Sequence, residues 1–100
     1  MDKFIEKLNN LEIDDLTRNN VLTALEVMSD GKRFHIIKTE EYKEYAVLIN
    51  DQIVIKTKKY DYAGGVAMRN ESTVGIKEFV EYIATRSNEI HETQERIRML

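Results

Sequence analysis

The hydrophobic period of this chain changes twice along its length, and that excludes both an all-helical and an all-strand fold. Apolar side chains recur at helical spacing up to residue 30, alternate between residues 33 and 57, and return to helical spacing from residue 76. Helices therefore flank a sheet.

In the first helical stretch Phe4, Ile5 and Leu8 make one apolar stripe on a short opening helix. Asp14 and Asp15 stand where an N-cap belongs, ahead of Leu16, Val21, Leu22, Leu25 and Met28 at helical spacing; Ser29-Asp30-Gly31 supplies the stop. Residues 33–39, 45–49 and 53–57 are rich in β-branched and aromatic side chains and read as strands, the last two flanking Asn50-Asp51-Gln52 as a hairpin loop. A three-residue loop sets Val47 and Ile49 on one face with Ile55 and Ile53, and Leu48 with Val54 on the other. A two-residue loop changes these pairings, so the register stays open. Gly64-Gly65 interrupts residues 60–69, which read as a loop followed by an edge strand bearing Val66 and Met68. Ser72 or Thr73 then opens a final helix whose stripe is Ile76, Phe79, Val80, Ile83, Ile90 and Ile97.

The fold expected is α+β: an antiparallel three- to four-stranded β-meander packed by two N-terminal helices and one long C-terminal helix. One hundred residues make one domain, 1–100, and the absence of proline and of repeats leaves no linker. A helix over residues 74–99 would be about 40 Å long at 1.5 Å per residue, against a radius of gyration of about 13 Å for a chain of this size. Residues 88–100 are therefore expected to project, with Ile90, Ile97 and Leu100 as a self-association surface and a homodimer as the result.

Several function classes drop out on composition. With no cysteine there is no disulfide, no thiolate nucleophile and no thiolate metal site. The net charge of −3 announces neither a nucleic-acid binder nor an acidic mimic. No apolar run approaches the roughly 18 to 20 residues of a membrane helix. Charges at Asp2, Lys3, Glu6 and Lys7 occupy the place of a secretory h-region. A cytoplasmic protein without membrane contact is expected, in the host cytoplasm if the source is viral.

The sharpest local feature is the run holding Lys56, Lys58, Lys59, Tyr60, Tyr62, Gly64 and Gly65, with Arg69 beyond it. It combines cations, stacking rings and a glycine pair that lets amides approach a ligand. The competing explanation is that Lys56 and Lys58 keep an edge strand from pairing with other chains while the tyrosines cap the core. The glycines match neither a phosphate loop nor a dinucleotide fingerprint. His35 and His91 lack companions at ligand spacing, so no metal and no cofactor is expected. Asp14-Asp15, Glu40-Glu41, Glu44, Asp51 and Asp61 match no carboxylate signature, and Ser29, Ser72 and Ser87 sit in no nucleophile elbow. No signature of helix-turn-helix, RNA-recognition, acetyltransferase or toxin–antitoxin modules is present.

Two expectations follow. The first is a small non-enzymatic protein that binds and inhibits or modulates a macromolecular partner, most readily a protein. Phage and mobile-element inhibitors of host systems, the anti-CRISPR type among them, are chains of this build. The alternative is a nucleotide- or nucleic-acid-binding module using the Lys/Tyr-rich edge at 56–69. An enzyme centred on His35 and a nearby carboxylate is the weakest of the readings.

Overall fold

The computed structural model describes residues 2–99 as two layers, a four-stranded antiparallel sheet and four helices packed on one of its faces. Helix α1 spans Asp2–Asn9 and α2 Asp15–Ser29; the sheet runs β1 Phe34–Lys38, β2 Tyr42–Ile49, β3 Gln52–Tyr60 and β4 Val66–Val74; α3 Ile76–Ala84 and α4 Ser87–Arg98 complete the chain. Strand order follows chain order, so the sheet is the expected meander. No helix of the described residues is long and apolar enough to cross a membrane.

The amino-terminal helices are bounded by local chemistry. Asp14 Oδ1 accepts from the Thr17 amide at 2.7 Å and caps α2. At the other end Gly31, at φ +75°, lets its amide reach Met28 O and the Lys32 amide reach Val27 O, a Schellman closure. Arg18 donates to Leu8 O at 3.2 Å and Leu11 O at 2.9 Å, tying the end of α1 to α2. Phe4, Leu8, Val21, Leu25 and Met28 thereby enter one core with Phe34, Ile36, Ala46, Ile53, Ile55, Phe79 and Ile83.

One open question is decided and two expectations are corrected. The β2–β3 loop has two residues, Asn50 and Asp51, both at positive φ (51° and 61°) as a type I′ turn requires. The pairs are Val47 with Val54, Leu48 with Ile53 and Ile49 with Gln52, not those of a three-residue loop. Ser72 and Thr73 do not open a helix: they pair with Ile55 and Val54 as part of β4, and Gly75 is the N-cap of α3. The long C-terminal helix is broken between Ala84 and Ser87.

That break has a visible cause. Arg86 turns out of the helix line and its Nε lies 2.6 Å from Glu44 Oε1, a carboxylate only 3% exposed on the helix-side face of β2. The guanidinium stacks on Tyr82 at 3.6 Å, and the Tyr42 hydroxyl donates to Glu44 Oε2 at 2.7 Å. Pinned there, α4 doubles back along β1: Ile90 and Thr93 are buried, and Gln94 Nε2 donates to His35 O at 2.7 Å. Residues 88–98 therefore dock on the domain and do not project. Ile90, at 2% exposure, belongs to the core, Ile97 is half-buried, and Leu100 lies outside the described residues.

Candidate functional site

The helices cover one face of the sheet and leave the other bare. Residues directly opposite on adjacent strands share a face, so the register assigns each side chain. On the helix-free face Lys38, Lys43, Lys58 and Arg69 stand opposite one another across all four strands. The adjacent row is His35, Tyr45, Lys56 and Glu71. Like charges directly opposite one another destabilise a sheet, so a row of four cations is a cost that folding alone does not explain.

The cations are not neutralised internally. Among the described residues the ion pairs are Glu44 with Arg86 and Glu95 with Arg98, and both lie off this face. What the cations do have is aromatic support. Arg33 lies 4.7 Å and Lys58 5.9 Å from the Tyr45 ring centre, and Lys43 lies 5.2 Å from that of Tyr60. Tyr45 is thus a buried post under the charges, while Tyr60 remains half-buried and Tyr62, at the hairpin tip, is fully exposed.

The sequence-predicted residues are distributed over three places. Lys56, Lys58 and Arg69 share the open face, with Tyr60 at its end. Lys59 pairs with Tyr42 and Met68 and faces the helix side, yet an open groove of about 1360 Å³ at this end of the sheet brings it together with Tyr60, Tyr62 and Gly64, beside Lys38 and Lys43 of the cationic row and Thr93, Arg96 and Ile97 of α4. Tyr62, Gly64 and Gly65 belong to the turn at 61–65. There Asp61 Oδ1 accepts from the Ala63 and Gly65 amides at 3.0 and 2.8 Å, and Asp61 O from the Gly64 amide at 3.1 Å. The glycine amides are spent on Asp61, and Gly64 supplies the positive φ of 81° that the turn needs.

The explanation of Lys56 and Lys58 as edge protection does not hold, because β3 lies between β2 and β4. Lys38, Lys43 and Arg33 do not stand out in the sequence. Their signal is positional and emerges only when the register is known.

His35 sits in the second row, its ring centre 6.0 Å from that of Tyr45. Burial and the positive charges of Lys38, Arg33 and Lys43 push its pKa below the usual 6.5. Its electrostatic neighbours are cations where a catalytic base needs a carboxylate, and among the described residues no group of three metal-ligating side chains converges. Glu44 is enclosed by Arg86, Tyr42 and Tyr82 and pins two elements together. Burial, helped by the hydrogen bond to Glu44, raises the Tyr42 hydroxyl to about 12 and raises Tyr82 further.

Comparison with protein-family models, with curated proteins and with solved structures found no match to this chain.

Proposed function

We propose that this chain is a non-enzymatic binding module whose open sheet face holds a single-stranded nucleic acid. The observation that carries this reading is the unneutralised row Lys38, Lys43, Lys58 and Arg69. Phosphates offset the mutual repulsion of such a row, and the counterions released on contact drive association. Lys56 widens the charged band, and Tyr60 and Tyr62 offer rings to bases at one end of it. Such a module acts in the cytoplasm, where its ligand is found.

Fluorescence anisotropy with labelled oligonucleotides of mixed sequence tests the reading. Binding at low salt that weakens with Lys58→Ala and Arg69→Ala is the expected result, and no binding at low salt refutes it.

A second reading, an inhibitor that occupies a protein partner, including an inhibitor of a host defence system of the anti-CRISPR type, draws on Tyr62. A fully exposed tyrosine at the tip of a hairpin whose turn is held by Asp61 is a natural interface anchor. Under that reading Tyr62→Ala abolishes capture of a lysate protein, while the oligonucleotide titration stays flat.

A further inference from the structure

We propose that β4 pairs antiparallel with β4 of a second copy about a two-fold axis through Asn70, joining the two four-stranded sheets into one. The edge itself is the first observation. All of β4 is exposed except Val74, which is intermediate, and the helix layer stops short of it, since Met68, Asn70 and Ser72 on the helix side are also open. Edge strands are normally protected by charged side chains, lysine above all, by proline, short length or a central bulge; the two charges of β4, Arg69 and Glu71, are opposite in sign and can satisfy each other across a pair. Val66–Val74 is nine residues long, with neither proline nor lysine, and its one irregularity, at Ala67, lies near its start.

The backbone fixes which registers are open to a partner. The Tyr60 amide donates to Glu41 O, so Tyr60 points its polar groups at β2; by strand alternation so do Lys58, Lys56 and Val54. Ile53, Ile55, Thr57 and Lys59 then point theirs at Val74, Ser72, Asn70 and Met68. Arg69, Glu71 and Thr73 are left with amides and carbonyls directed outward. An incoming copy must bond to those residues.

Charge then selects one register. Centring the pair on Arg69 or on Glu71 sets like charges face to face. Centring it on Asn70 sets Arg69 opposite Glu71 of the second copy, twice by symmetry. Both are outward-pointing residues, so each pair exchanges its two backbone hydrogen bonds. The strand is thus self-complementary in charge and in hydrogen-bond phase at the same register. A two-fold axis perpendicular to the sheet leaves both cationic rows on the same open face. This contact is distinct from the helix-end association expected from the sequence; in the dimer Arg69 shares its charge with Glu71 of the second copy, while Lys38, Lys43 and Lys58 of the cationic row take no part in the pairing.

The chain has no cysteine, which permits a register-specific test on the full-length protein. Asn70→Cys places two thiols across a non-hydrogen-bonded pair with Cα atoms about 4.5 Å apart, within disulfide reach. Ser72→Cys, on the same face, places them roughly 14 Å apart along the strands. Under mild oxidation the Asn70→Cys protein is expected to cross-link at least about tenfold faster. Sedimentation equilibrium should show a wild-type dimer, a dissociation constant raised about tenfold or more by Glu71→Arg, and recovery in the Arg69→Glu/Glu71→Arg double variant. Circular dichroism confirms that each variant is folded. A monomer up to the millimolar range, equal cross-linking at 70 and 72, or a dimer indifferent to Glu71→Arg overturns the proposal.

Discussion

Replacing Arg86 with methionine removes the cation from Glu44 while keeping most of the side chain's bulk. The carboxylate, 3% exposed, is left with the Tyr42 hydroxyl as its one hydrogen-bond donor among the described residues. Removing one partner of a fully buried pair costs about 3–5 kcal/mol; because Arg86 is itself 32% exposed, solvent screening brings the expectation to about 2–3 kcal/mol. In a domain of this size that is a melting temperature lower by roughly 10–20 °C, out of a total stability of about 5–15 kcal/mol. Urea unfolding followed by circular dichroism reads it, with an unchanged m-value showing that the loss is one of stability. Glu44→Gln removes the other charge, and the double variant should be less destabilised than the sum of the singles by about 1 kcal/mol or more. A loss below about 0.5 kcal/mol in Arg86→Met, or strict additivity, would refute the argument that this pair pins the α3–α4 break to the sheet.

Ile90→Ala should cost about 2–5 kcal/mol, because the side chain is 2% exposed in the core; a change of oligomeric state with unaltered stability would instead return α4 to a projecting role. Tyr42 and Tyr82 both hold their protons more tightly when folded than the usual pKa of 10.0. The stability they contribute is complete below pH 10 and is lost as pH rises toward about 12, and the Tyr42→Phe/Tyr82→Phe variant should show a flatter alkaline slope in pH-dependent urea midpoints.

The sequence made the layer arrangement legible where one face of an element is buried. Asp14 and Gly31 announce α2 because capping is local chemistry, and the alternation around Ala46 and Ile55 announces the meander. The ends of the strands were hidden because Tyr42, Lys43 and residues 58–70 bury no continuous apolar face; Tyr42 is held instead through its hydroxyl on Glu44. Ser72 and Thr73 serve equally as a helix cap or as strand residues, and only their pairing with Ile55 and Val54 decides. The helix break carries no glycine or proline; its cause, Glu44, is distant in sequence. The candidate site divides in the same way. Lys56, Lys58 and Tyr60 stand out locally, but their alignment with Lys38, Lys43 and Arg69 depends on the type I′ turn at Asn50-Asp51 and on the irregularity between His35 and Ile37.

The salt dependence of oligonucleotide affinity tests the cationic row most directly. If Lys38, Lys43, Lys58 and Arg69 each meet a phosphate, log K against log salt should fall with a slope of about −3, and Lys58→Ala with Arg69→Ala should make it shallower by roughly 1.4. Affinity that is absent at low salt, or a slope the double variant leaves unchanged, would contradict the assignment of this face to a nucleic acid.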